Sequence, residues 1–127
     1  MRRLPAMKRL LLLLALVLAG PPAGAADMLE AFDIPVMAGL DLEPEQSLMF
    51  DSPEGRVAEA VLSGPRDPAA VRRFYEASLP MLGWQPQPAE NTGDSQRLLY
   101  WRADERLELH IDPLDGGTRL RLTLTPD

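Results

Sequence analysis

His110 is the only histidine of the 127-residue chain and the first side chain to test for chemistry, because imidazole serves both as a general base and as a metal ligand. It stands between Glu108 and Asp112 in a segment where apolar and polar residues alternate. A nucleophilic or zinc site would need partners, and the chain has no cysteine, no second histidine and no Gly-x-Ser-x-Gly motif. We therefore predict a solvated histidine on the outward face of a strand, and no catalytic residue.

Acidic residues do not form a recognisable metal site either. Residues 112–117 (DPLDGG) place two carboxylates before two glycines, as a calcium loop does in part. A calcium loop also needs oxygen ligands at alternate positions and a distal bidentate glutamate, which this segment lacks. We predict a hairpin turn here, a solvated edge at Asp41, Glu43 and Glu45, and no bound metal or other cofactor.

The classes of enzyme and of nucleic-acid-binding protein are disfavoured on similar grounds. Carboxylate pairs for glycoside hydrolysis need a cleft, and a single helix on a small sheet rarely encloses the roughly 300 Å³ or more of a substrate pocket. The chain has no glycine-rich phosphate loop and no basic patch that bears aromatic residues. We therefore expect a non-enzymatic protein.

Residues 26–46 are predicted to form an extended arm, because prolines and a glycine break both the helical and the strand period. Ile34, Val36, Met37 and Leu40 give this arm an apolar strip that something must cover. Either the strip packs on its own domain or it docks a partner protein, for which methionine-bearing surfaces are suited.

Aromatic residues offer two further candidate sites. Trp101 is expected on a charged sheet face beside Arg106, where it either stacks in a cation–π pair or anchors a partner. Tyr75, Trp84 and Tyr100 would line a small-ligand pocket if the helix and the sheet parted slightly, although a small core needs the same residues. Protein contact is thus the favoured role, with a small-ligand carrier as the alternative and a small hydrolase as the third.

The elements that position these residues begin with a hairpin. Residues 47–51 and 56–63 are predicted as two strands around the turn 52–55 (SPEG). Asp67 and Pro68 then supply an N-cap acceptor and a proline at the first helical position, so a helix is expected to start there.

The helix is amphipathic. Its apolar stripe has helical spacing and comprises Val71, Phe74, Tyr75, Leu79 and Leu82. Gly83 can end the helix in a left-handed conformation, with Trp84 folded back on Leu79. Pro80 predicts that the last turn is kinked or that the helix stops early.

A polar surface loop, residues 85–95, and three strands, residues 96–102, 105–112 and 118–125, complete the domain. Pairing Asp112 with Arg119 sets aliphatic residues opposite each other on one face and His110 and acids opposite arginines on the other. The predicted fold class is α+β, an antiparallel sheet in the order ββαβββ with one helix packed on one face. Residues 47–127 then form a single domain of two layers.

The chain begins with the features of a cleavable signal peptide, residues 1–25. Four basic residues and no acid occupy residues 1–9, residues 10–19 are wholly apolar, and small residues follow. This apolar run is about half of the roughly 20 residues that a membrane-spanning helix needs, so contact with the membrane is predicted to be transient. We expect a periplasmic or secreted protein, by either the general secretory or the twin-arginine route.

Loss of this leader changes the charge sharply. Its four basic residues include the only lysine, so the remaining 102 residues carry nine arginines against 19 acids, a net charge of about −10. A strongly acidic surface repels phosphates, which disfavours nucleic acid and anionic lipid as partners. Because there is no cysteine, the core must hold the domain together without disulfides.

Residues 74–84 read FYEASLPMLGW, and residues 33–40 read DIPVMAGL. This helix-ending pattern, followed by strands, resembles a group of small uncharacterised exported proteins of bacterial envelopes. The resemblance covers most of the chain after the leader. It implies the same compartment and fold, and it attaches no activity, ligand or functional residue to the chain.

Overall fold

The computed structural model describes residues 32–127. The predicted signal peptide and the first residues of the predicted arm lie outside this range. In chain order the elements are β1 (Asp41–Leu42), a 3₁₀ helix (Pro44–Gln46), β2 (Leu48–Ser52), β3 (Gly55–Gly64), α1 (Pro68–Met81), β4 (Gln85–Gln87), β5 (Gln96–Arg102), β6 (Glu105–Leu114) and β7 (Gly117–Pro126). The described part is therefore α+β, an antiparallel sheet with one helix, as predicted.

The sheet has the order β1-β3-β7-β6-β5-β4, and β2 pairs with β3 along the same edge as β1. The predicted chain order ββαβββ is incomplete, because β1 and β4 add two strands to it. Both are very short and lie at sheet edges. Pairing with a longer neighbour supports them there, although their own sequences show no strand period.

The hairpins follow the predicted register. Asp112 pairs with Arg119 and His110 pairs with Arg121, whereas Leu109 pairs with Leu122 on the other face. In the first hairpin, Ser52 lies opposite Gly55 across a two-residue turn. In β6 and β7 the alternation of apolar and charged residues sets which face each residue occupies, and the tight turns set which residues pair.

Helix α1 starts at the predicted position, with Asp67 as the N-cap. The Asp67 side chain makes no capping hydrogen bond. At the other end Gly83 adopts φ +90°, its N–H donates to the Pro80 carbonyl (3.1 Å) and the Trp84 N–H donates to the Leu79 carbonyl (3.2 Å), as expected for a glycine-terminated helix. An early stop before Pro80 is wrong, because the helix continues to Met81; a proline so near the end removes only one helical hydrogen bond.

The buried core combines α1, the inner face of the sheet and the arm. Val71, Tyr75 and Leu79 of α1 are fully buried, in one cluster with the inward residues of β3, β5, β6 and β7. The same cluster contains four residues of the arm, namely Phe32, Ile34, Met37 and Leu40. The described part of the arm therefore packs on its own domain through these four residues.

Close backbone contacts hold the arm against the sheet. A Cβ atom at Gly64 would lie 1.9 Å from the Gly39 carbonyl oxygen, and a Cβ atom at Gly117 would lie 2.2 Å from the Gly64 carbonyl oxygen. Three chain segments thus meet at a stack of three glycines. Arg66 covers this stack, since its Nη1 donates to the Ala38 carbonyl at 2.8 Å.

Tyr75 joins the helix to the arm. Its hydroxyl donates to the Pro35 carbonyl (2.9 Å) and accepts from the Met37 N–H (3.3 Å). Both arm groups lie in a segment without regular structure, so the tyrosine supplies hydrogen bonds that no neighbouring strand gives.

Candidate interaction surface

The face of the sheet that points away from the core, here called the outer face, carries most of the charged strand residues. Its members include Val57 and Glu59 of β3, Arg97, Leu99 and Trp101 of β5, Arg106, Glu108 and His110 of β6, and Arg119, Arg121 and Thr123 of β7. All of these residues are half-buried or exposed. The outer face is therefore accessible to a partner, except at Val61 of β3, which pairs with Arg121 and is fully buried.

Opposite charges on the outer face are paired across strands. Arg97 Nε lies 2.9 Å from Glu108 Oε1, and Arg121 Nε lies 3.0 Å from Glu59 Oε1. Such partly exposed pairs each contribute only about 0–1 kcal/mol to stability. They fix the arrangement of side chains on the face more than they hold the fold together.

Glu108 is the centre of this pairing. Its Oε1 lies 2.6 Å from His110 Nε2, and its Oε2 lies 3.8 Å from Arg106 Nη2. Partial burial raises the pKa of Glu108, but the hydrogen bond with His110 and the charge of Arg97 outweigh this effect, so the pKa falls below its usual 4.5. A carboxyl group of low pKa is poorly suited to act as a general acid near neutral pH.

His110 lies on the outward face of β6, where its side chain is 39% exposed. It neighbours Glu108 along its own strand and Arg121 across the sheet. Within residues 32–127, no group of three or more histidine or acidic side chains is placed to hold a metal ion. His110 is thus a partly exposed strand residue that is hydrogen-bonded to Glu108 on the same strand.

Trp101 is the largest apolar side chain exposed on the outer face, at 44%. It pairs in register with Arg106, as expected, but the described part shows no cation–π stack between them, which was one of the two roles considered for Trp101. The Arg106 guanidinium turns toward the carboxylate of Glu108 instead. The stacked pair in the described part is Arg102 over Trp84, with 4.2 Å from the guanidinium carbon to the ring centroid.

The arm residues considered for partner docking are not exposed together. Ile34, Met37 and Leu40 are at most 6% exposed, whereas Val36 is 37% exposed. An apolar side chain that fills the core cannot reach a partner unless the arm undocks. A docking strip made of all four residues therefore does not exist in the folded domain.

Tyr75, Trp84 and Tyr100, considered as lining of a ligand pocket, are each at most 3% exposed and belong to the core. Burial raises the pKa of Tyr75 to about 12, although the hydrogen bond from Met37 lowers it slightly. Tyr100 borders a shallow groove of about 150 Å³, smaller than the roughly 300 Å³ at which ligand pockets begin. The three aromatic side chains fill space between elements.

One exposed apolar group was missed by sequence reasoning. Leu48, Met49 and Phe50 of β2 are 46%, 45% and 54% exposed. Their exposure follows from the edge position of β2, which in turn depends on β7 taking the other side of β3. The available signal was three consecutive apolar residues in a short strand, because such a run cannot all face one side of a sheet.

Within residues 32–127, no helix has the length and apolar character required to cross a bilayer. No protein-family model, curated protein or solved structure matches this chain.

Proposed function

We propose that this chain is a non-enzymatic, exported protein of the bacterial cell envelope that acts by binding another protein through its outer face. The observation that carries the proposal is Trp101, a large aromatic side chain that is 44% exposed on a sheet face away from the helix. Exposed tryptophans commonly dominate the binding energy of protein interfaces. An exposed tryptophan with no partner would reduce solubility without a benefit.

The surroundings of Trp101 also suit protein contact. Arg106 lies beside it and Thr125 follows on the next strand, while Phe50 pairs with Val57 at the same end of the sheet. Aromatic and arginine side chains are enriched in interfaces, and paired charges around them provide a polar rim. In this proposal the arm and α1 form one layer, and the sheet forms a second layer whose outer face is left for the partner.

Export is supported by the sequence of residues 1–25, by the acidic charge that remains after their removal and by the resemblance to small envelope proteins. Expression with the leader should give a periplasmic species that starts at Ala26 or Asp27. Intact mass after fractionation checks this expectation. A full-length species held in the membrane fraction would contradict both the compartment and the domain boundary.

Partner capture from periplasm with purified bait tests the outer face. Trp101→Ala should lose the captured protein and bind the purified partner about 30-fold more weakly, as expected for an aromatic hot spot. Met81→Ala is the matched control, because Met81 is 85% exposed at the end of α1. Identical capture by wild type, Trp101→Ala and Met81→Ala would refute the proposal.

A further inference from the structure

We infer that β2 is a strand-addition site for an extended, basic segment of another protein. In the described part, β2 pairs with β3 alone, so its second side is an open edge of the sheet. The inference concerns this edge, whereas the proposed function concerns the outer face. Each can therefore fail without the other.

The open edge presents main-chain groups in a regular pattern. Ser52 and Gly55 flank a two-residue turn, and from there hydrogen-bonded and non-hydrogen-bonded pairs alternate along the hairpin. Asp51 and Met49 occupy the non-hydrogen-bonded positions, so their N–H and C=O groups point away from β3. An incoming strand can form its ladder with these two residues.

The side chains of β2 leave the edge unprotected. Natural edge strands are commonly blunted by lysine, proline or a bulge, whereas Leu48, Met49 and Phe50 are consecutive, apolar and about half exposed. Leu48 and Phe50 lie on the outer face and Met49 lies on the opposite one. An added strand would therefore cover apolar surface on both faces of the sheet at once.

Charge identifies the kind of strand that fits. Glu45 precedes the apolar part of β2, and Asp51 and Glu54 follow it; all three are exposed. Within residues 32–127, none of these three carboxylates makes a salt bridge, although Asp51 lies opposite Arg56 and interacts with its charge. A second copy of the chain would add three more acids to the same edge, whereas a strand flanked by lysine or arginine would compensate them.

Fluorescence anisotropy with two labelled peptides tests this inference. The basic probe is Lys-Lys-Thr-Val-Thr-Val-Thr-Lys-Lys, and its acidic twin replaces every lysine by glutamate. The chain should bind the basic probe at least about tenfold more tightly than the acidic one, and binding should weaken as salt rises to about 500 mM.

Two variants at position 49 distinguish the contribution of the β2 main chain to binding from that of the Met49 side chain. Met49→Pro removes an outward N–H while leaving the β2–β3 ladder intact, since proline is tolerated on edge strands when its nitrogen faces solvent. Met49→Thr removes the same side chain and keeps the N–H. We expect Met49→Pro to bind the basic probe roughly tenfold more weakly than Met49→Thr, with matching circular dichroism and unfolding midpoints.

Three results would overturn the inference. The first is equal affinity for the basic and acidic probes, or no binding of either. The second is equal binding by Met49→Pro and Met49→Thr. The third is a dimer in sedimentation that strengthens with salt and is lost in Met49→Pro, because this result assigns the edge to a second copy of the chain.

Discussion

Replacing Tyr75 by phenylalanine tests how the helix holds the arm, because it removes the hydroxyl and keeps the buried ring. The hydroxyl makes two hydrogen bonds, to the Pro35 carbonyl at 2.9 Å and from the Met37 N–H at 3.3 Å. Each such bond contributes about 0.5–1.5 kcal/mol, and a buried N–H left without an acceptor costs about 1–3 kcal/mol. We expect Tyr75→Phe to lower the free energy of unfolding by about 2 kcal/mol.

Urea unfolding at neutral pH measures this loss, which corresponds to a fall in the melting temperature of roughly 10 °C for a domain of this size. Hydrogen exchange adds a local measurement. The Met37 amide should exchange faster in Tyr75→Phe, whereas the β6 and β7 amides should change only in step with global stability.

The pH dependence gives a second, independent measurement of the same contact. Burial raises the pKa of Tyr75 to about 12 from an unfolded value of 10.0, so its contribution to stability is complete below pH 10 and is lost as pH rises from 10 toward 12. This loss amounts to about 2–3 kcal/mol. The stability advantage of wild type over Tyr75→Phe should therefore shrink or reverse in that range.

The comparison with Tyr75→Phe is needed because burial also raises the pKa of Tyr100, which both proteins retain. Equal stability of wild type and Tyr75→Phe at neutral pH would refute the conclusion that the Tyr75 hydroxyl holds the arm. An advantage of wild type that persists unchanged to pH 12 would refute the burial of the hydroxyl.

Three further predictions concern other contacts. Gly64→Ala should lower the free energy of unfolding by about 3 kcal/mol or more in calorimetry, because the new Cβ would meet backbone at 1.9 Å. Gly93→Ala, where φ is +59° and the surrounding space is open, should lower it by only about 1 kcal/mol. Arg102→Ala should destabilise by about 1–2 kcal/mol in urea unfolding, because it removes the stack on Trp84 and a hydrogen bond to the C-terminal end of α1; stability equal to wild type would contradict this role. Because the pKa of Glu108 is lowered in the folded state, the contribution of this carboxylate to stability is present above pH 4.5 and is lost as pH falls through the lowered pKa. In an acid titration, Glu108→Gln should therefore lose stability less steeply than wild type.

Part of the sheet could be predicted, because the alternation within a single strand shows which of its residues are buried. In the middle of β6 and β7 every second residue is aliphatic, which sets the buried face, and the tight turn between the strands places Asp112 opposite Arg119. The C-terminal end of α1 could also be predicted from local sequence, since Gly83 and Trp84 lie next to the turn that they complete. These features need no knowledge of distant segments.

Features that depend on distant segments could not be predicted in this way. The sequence of the arm has neither a helical nor a strand period that would predict its burial. The arm is held instead by Tyr75, about 40 residues away, and by the glycine stack. The cation–π pair of Arg102 and Trp84 likewise depends on tertiary structure. Arg102 projects over Trp84 because a hairpin turn and the end of α1 meet there, which no spacing in the sequence shows.

The position of β3 has a consequence for the order in which the chain can fold. β3 needs β7 as its neighbour, yet more than 50 residues separate the end of one strand from the start of the other. A chain that emerges with its N-terminus first presents the β2–β3 hairpin early, but a lone hairpin is at best marginally stable in water. The sheet can close only when the last strand has emerged, and closing so long a loop is slow compared with forming a helix. Pairing of β3 with β7 is therefore expected to be a late step in folding.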